Sequence, residues 1–80
     1  MTFREIAAHH NTRPFVPYRV VTSDGRTYEV PHPEFAMVSM TSTMVGIPRI
    51  LEGEQVFDFV RIANDHVTTL VPLSTTNPNY

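Results

Sequence analysis

The sequence has no cysteine, no tryptophan and no lysine, and only three of its 80 residues are glycine. Without cysteine the chain forms neither a disulfide bond nor a thiolate zinc site. No apolar stretch approaches the roughly 18 residues that a membrane span needs. The sequence also lacks a Gly-x-Ser-x-Gly elbow and a glycine-rich phosphate loop. These absences exclude a disulfide-stabilised scaffold and argue against nucleophilic catalysis and membrane insertion.

A chain of 80 residues has room for a single core. A domain of this size buries only about 60% of the surface of its unfolded chain, so its margin of stability is narrow. With disulfides excluded, a structural metal or self-association remains as a means of adding stability. We predict one domain over residues 1–73 and a flexible polar tail over residues 74–80. Residues 1–6 mix acid and base and do not form a secretion signal, so a cytoplasmic location is expected.

The charge balance is mildly acidic, with a formal net charge of −2, and every strong cation is an arginine. Nucleic-acid binders usually carry a basic excess, because neutralising phosphates supplies much of their affinity. The balance therefore argues against a dedicated nucleic-acid binder. Arginines that are scattered along a sequence can still meet on one face of a fold, and the candidates for such an RNA contact are Arg19, Arg26 and Arg61.

A helix-start signal opens the chain. Thr2 and Glu5 have the spacing of a capping box, in which each side chain accepts a hydrogen bond from the other residue's backbone amide. Phe3 and Ile6 follow on one helical face, and Asn11 suits the C-terminal end. We predict a helix of two to three turns. Because so short a helix is unstable alone, we expect Phe3 and Ile6 to dock onto the sheet.

The clearest element is a β-hairpin around Asp24-Gly25. A type I turn with Gly25 as a left-handed bulge brings four apolar side chains onto one face through two cross-strand pairs, Val20 with Tyr28 and Tyr18 with Val30. A two-residue turn would shift the register and place them on opposite faces. The pattern therefore predicts the bulged turn.

Four more extended segments are predicted over residues 35–40, 44–51, 55–62 and 66–73, with a short 3₁₀ link over residues 63–65. Pro48 fits only an edge or a bulge of a sheet. In the segment 55–62 we expect Asp58 on a solvent face, with Phe57 and Phe59 pointing inward. The order of elements predicts a mostly β (α+β) domain: a short N-terminal helix and about five antiparallel strands in a small SH3- or Sm-like barrel. The alternative is a compact open α+β sheet.

One pattern resembles a group of small uncharacterised bacterial proteins. It consists of Pro14-Phe15-x-Pro17-Tyr18 and Asp24-Gly25-Arg26-x-Tyr28-x-Val30-x-His32-Pro33-Glu34-Phe35. Members of that group combine a short N-terminal helix, an Asp-Gly-Arg hairpin and a His-Pro-Asp/Glu-Phe corner. The segment from residue 40 to residue 54 departs from the group's pattern. The resemblance implies a bacterial origin and a small β fold, and it implies no activity and no catalytic residue.

Candidate contact residues lie at a rigid corner and in an irregular apolar segment. Prolines flank the corner at His32 and Glu34, while the segment 40–51 combines methionines, which adapt to irregular contacts, with Pro48. The candidates for contact with a protein partner are His32, Glu34, Met40, Met44, Pro48 and Arg49. We assign no catalytic, cofactor-binding or metal-binding residue.

Three hypotheses for function follow. The leading one is a non-enzymatic module that binds another protein or a second copy of itself. The second is an Sm-like RNA-binding protein, with the three candidate arginines on phosphates and Tyr28 or Phe57 stacking on bases. The third is a metal-dependent or acid/base enzyme whose candidate residues are His32, Glu34, Asp65 and His66.

Overall fold

The capping box predicted at the start of the chain is present in the computed structural model, which describes residues 1–73. Helix α1 (Phe3–His10) begins after Thr2, whose hydroxyl accepts from the Glu5 amide, and it ends at Asn11. Ile6 is buried, whereas Phe3 keeps 36% of its surface exposed. The expectation that both would dock is therefore correct for Ile6 and wrong for Phe3. The predicted tail, residues 74–80, lies outside the described residues.

Six strands follow within the described residues, arranged in two antiparallel three-stranded sheets. They are β1 (Tyr18–Thr22), β2 (Thr27–Val30), β3 (Ala36–Val38), β4 (Ser42–Leu51), β5 (Glu54–Ala63) and β6 (Val67–Pro72). The first sheet has the order β2-β1-β6 and the second the order β3-β4-β5. The mostly β prediction is confirmed, with six strands rather than about five. No pairing among residues 1–73 closes the sheets into a barrel, so the open α+β alternative fits the structure.

The β1–β2 hairpin has the predicted register, with Val20 opposite Tyr28 and Tyr18 opposite Val30. Gly25 has a φ of 85°, the left-handed conformation that the bulged turn requires. Tyr18, Val20 and Val30 are fully buried. The predicted register of the hairpin is confirmed. It was predictable because the turn residues and the paired side chains that set the register all lie within the hairpin.

The core draws on every layer of the fold. The eight buried apolar residues within positions 1–73 are Ile6, Tyr18, Val20, Val30, Ala36, Val45, Ile62 and Val67. Burial raises the pKa of Tyr18 to about 12. The Tyr18 hydroxyl lies 2.8 Å from Nδ1 of His10, so the helix is joined to the first sheet by a polar contact as well as by Ile6.

Pro48 lies in the middle strand of the second sheet without breaking it. Strand β3 pairs only with residues 43–45 of β4, so beyond that point β4 has β5 as its single partner. Pro48, which faces Phe57 in the register, therefore occupies a local edge. This agrees with the expectation that a proline fits only at an edge or a bulge.

A buried asparagine joins the second sheet to the last strand. The Asn64 side chain donates to the Ser39 and Met40 carbonyls at 2.9 and 3.2 Å, and its oxygen accepts from the Thr43 hydroxyl at 2.9 Å. Its backbone amide donates to Thr41 at 2.9 Å. Asn64 belongs to the 3₁₀ turn Asn64–His66, so these four bonds fix the β3–β4 turn against the β5–β6 link.

One sequence expectation about the second sheet is wrong. Phe57 and Phe59, expected inside, are 43% and 60% exposed. The inward face of β5 carries Val60 and Ile62, with Asp58 continuing that face beyond the core.

The described part of the chain contains no helix with the length and apolar character of a membrane span.

The Asn64 bonds predict a large cost for truncation. We expect Asn64→Ala to lower the free energy of unfolding by about 2–4 kcal/mol, because the Thr43 hydroxyl and two turn carbonyls lose their partner in a buried site. Urea denaturation measures this, and Asn11→Ala, at an exposed asparagine, is the matched control. Equal stability of the two variants would contradict the role assigned to Asn64.

His10 predicts a pH dependence of stability. Burial, with the nearby Arg13 guanidinium, lowers the pKa of His10 below its ordinary value. The unfolded chain therefore binds a proton at a higher pH than the folded chain does, and stability falls as the pH drops below about 6.5. We expect the free energy of unfolding to decrease between pH 7.5 and pH 5.5, and to decrease less in His10→Gln. His32→Gln, at an exposed corner, should retain the wild-type decrease; identical curves for all three proteins would refute the assignment.

Candidate functional site

The outer side of the second sheet is mostly apolar, with Arg61 on it opposite Met44. Register places Met37 opposite Met44, Pro48 opposite Phe57, and Gly46 opposite Phe59, all on the face turned away from the buried Val45. We call this surface the outer apolar face and define it by Met37, Met44, Pro48, Ile50, Phe57 and Phe59. The exposed fractions of its large members are 69% for Met37, 36% for Met44, 72% for Ile50, 43% for Phe57 and 60% for Phe59.

An aromatic group forms the centre of this face. The Phe57 ring packs edge-on against Phe35 with centroids 5.2 Å apart, and its centroid lies 6.4 Å from that of Phe59. Gly46 lies beneath the rings: a Cβ there would come within 3.2 Å of Phe59 Cε1 and 3.5 Å of Phe57 Cδ1. Glycine at this position thus lets the two rings lie close to the strand.

Beyond Gly46, strands β4 and β5 extend as a two-stranded arm that leaves the core. Residues 48–55, which include the turn between β4 and β5, are all exposed to solvent. On the arm's second face, Arg49 forms an ion pair with Asp58, and both side chains are more than half exposed. One face of the arm therefore carries the Arg49–Asp58 ion pair together with Leu51 and Val56, while Pro48, Ile50 and Phe57 lie on the other face.

The predicted contact residues occupy three places. Met44 and Pro48 belong to the outer apolar face, whereas Arg49 points to the opposite face of the arm. Met40, in the β3–β4 turn, is 78% exposed. His32 and Glu34 are exposed at the corner formed by the 3₁₀ turn Pro33–Phe35, where the His32 ring centroid lies 5.6 Å from that of Phe35.

Sequence reasoning missed the larger part of the face. Met37, Ile50, Phe57 and Phe59 carry most of its exposed apolar surface. The alternation along β5 defines two faces, and placing Asp58 on the solvent face put the two flanking phenylalanines inside. The residues of the paired strand β4 could have indicated which face of β5 is buried. Gly46 and Pro48 lie opposite the phenylalanines, whereas the β-branched Val45 lies opposite Val60.

A cleft of about 560 Å³ lies between the β1–β2 turn and the end of β5. It is lined by Thr22, Ser23, Asp24, Arg26, Tyr28, Val60, Arg61, Ile62, Ala63 and His66. Two of the three arginines predicted as RNA contacts, Arg26 and Arg61, border this cleft together with Tyr28, but Nε of Arg61 donates to the Ser42 hydroxyl of β4 at 3.3 Å. The third, Arg19, is not among the lining residues and forms an ion pair with Glu29 at 2.9 Å. RNA binding itself stays a prediction.

The histidines and carboxylates considered for catalysis do not form a metal site in the described region: residues 1–73 contain no group of three His, Cys, Asp or Glu side chains that could hold a metal ion. His66 instead contacts Ser23, with Nδ1 and Oγ 3.4 Å apart.

Comparison with protein-family models, with curated proteins and with solved structures found no match. The resemblance drawn from the proline and Asp-Gly-Arg pattern therefore stays a prediction, and the function has to be argued from the surface of this chain.

Proposed function

We propose that this protein is a non-enzymatic association module in which the outer apolar face binds the same face of a second copy. The observation that supports the proposal is the exposure of five large apolar side chains on one side of one sheet. Small monomeric proteins rarely leave so many apolar groups together in water, and such surfaces usually mark interaction sites. His32 and Glu34, at the corner beside Phe35, would form part of the polar rim.

The area of the face suits a dimer. A large apolar side chain has about 200 Å² of surface, so the exposed fractions of these five side chains correspond to on the order of 600 Å² per copy. A standard interface buries about 800 Å² per partner, and Pro48 with the neighbouring backbone would contribute toward the difference. A two-fold axis would bring identical faces together and stack the sheets about 10 Å apart.

The limited core supports the same proposal. Only eight apolar residues are buried among residues 1–73. Because a domain of this size has a small stability margin, a second sheet packed on Phe57 and Phe59 would add burial that the chain cannot supply by itself.

We further propose that the two sheets are related to an SH3- or Sm-like barrel. Two features support this finer assignment: the last strand returns to pair with the first, and the 3₁₀ turn Asn64–His66 precedes that strand. A bacterial origin and a cytoplasmic location remain predictions from the sequence.

Self-association has a direct test. We expect sedimentation equilibrium to show a mass that rises with concentration from that of one 9.1 kDa chain to twice that value by high micromolar concentration. Phe59→Thr, which keeps a β-forming residue but removes the central ring, should raise the dimer dissociation constant at least about tenfold.

The matched control is Phe3→Thr, the same substitution at an exposed phenylalanine on α1. It should leave the dissociation constant unchanged, and circular dichroism should show that both variants are folded. A wild-type mass of one chain over the whole concentration range would refute self-association. An equal loss in both variants would refute the assigned face.

A further inference from the structure

We infer that the outer apolar face is a redox-sensitive contact: oxidation of Met37 and Met44 to methionine sulfoxide by a peroxide holds the chain in its monomeric form. Because two copies must first meet through that face, this rests on the proposed function. It adds a chemical signal to which the contact between the copies responds.

Met37 and Met44 form a pair on this face. The register places them directly opposite each other on β3 and β4, so their side chains lie side by side on the surface of the sheet. Both side chains are exposed, which lets a small oxidant reach them from solvent. Both also belong to the surface that a second copy would cover, so a change in their polarity acts on the contact directly.

Methionine carries all of the sulfur in this protein, because the chain has four methionines and no cysteine. No cysteine thiolate competes for peroxide. Met40, in the β3–β4 turn, is also exposed, whereas Met1 is half-buried and packs against the core. Peroxide therefore meets three exposed methionines, and two of them lie on the outer apolar face.

Oxidation changes the polarity of these side chains and leaves the chain intact. The thioether sulfur takes one oxygen atom from hydrogen peroxide as the O–O bond breaks, so that the sulfur loses two electrons and the peroxide is reduced to water. The sulfoxide oxygen is a hydrogen-bond acceptor on what was an apolar side chain, and such a change disrupts interfaces that contain methionine. Burial of this group without a donor is unfavourable.

The row of the sheet that carries the pair offers few donors. It runs from Met37 through Met44 to Arg61, and Arg61 is its single side chain with N–H groups. Met37 lies two strands away from Arg61, a distance of about 10 Å. A sulfoxide at Met37 therefore has no donor side chain beside it in this row, and it keeps its hydrogen bonds to water only while the face remains uncovered.

Oxidation and association compete for the same side chains. In the dimer Met37 and Met44 would be covered, so peroxide reacts with them in the free chain, and the oxidised chain no longer buries that face. Met40 lies outside the face and reacts in both forms, which makes it an internal reference. Methionine sulfoxide reductases, one for each epimer of the sulfoxide, return the side chain to methionine, so the change is reversible.

Sedimentation equilibrium before and after treatment with hydrogen peroxide tests the inference. We expect the fully oxidised wild type to have a dimer dissociation constant at least about tenfold above that of the untreated protein, with the circular dichroism of a folded chain. Treatment with both reductases should restore the original value. The double variant Met37→Leu/Met44→Leu should have the same dissociation constant before and after peroxide, whereas Met40→Leu should respond as the wild type does.

Peptide mass spectrometry follows the rate of oxidation at each methionine. By mass action the fraction of free chain falls about fourfold between one tenth of the dissociation constant and ten times that concentration. Oxidation of Met37 and Met44 should therefore slow by about that factor, while Met40 reacts at one rate throughout.

The possible failures are distinguishable. A wild-type mass of one chain before treatment would refute the proposed function, and this inference with it. A dimer that survives complete conversion of Met37 and Met44, or an equal loss of affinity in Met37→Leu/Met44→Leu, would overturn the inference alone.

Discussion

The buried amide of Asn64 is the interaction on which the arrangement of the two sheets depends. It satisfies two carbonyls of the β3–β4 turn and the Thr43 hydroxyl in a place from which water is excluded. A buried polar group is costly unless it is paired, so these bonds offset the cost of burying the Asn64 side chain. By fixing the turn after β5, it directs β6 back to β1 and brings His66 against Ser23.

Both the cleft and the outer apolar face follow from the way in which the two sheets are arranged. Because β6 leaves the second sheet to join the first, β5 has no partner on its outer edge in the described chain, and the cleft opens beside it. Because the core is small, the β4–β5 arm extends beyond the surface that the first sheet and α1 cover. The apolar face of the arm therefore remains exposed, while Arg49 and Asp58 neutralise each other on its opposite face.

Local elements were predictable from the sequence, and the surfaces largely were not. The capping box, the bulged hairpin and the 3₁₀ link each depend on residues within a few positions of one another, and all three are present. Ser42 and Thr43 lie outside the segment predicted over residues 44–51, yet they belong to β4. Their hydroxyls are tolerated in the interior because they find partners such as Asn64, which is distant in sequence.

The sequence by itself determined the helix, the hairpin register and the mostly β class, since side-chain spacing and turn chemistry act at short range. Tertiary structure alone decided which face of β5 is buried. A period of two defines a pair of faces but does not say which one meets a core. In the structure Val60 lies opposite the buried Val45 on the inner face, while Phe57 and Phe59 pack over Gly46 on the outside.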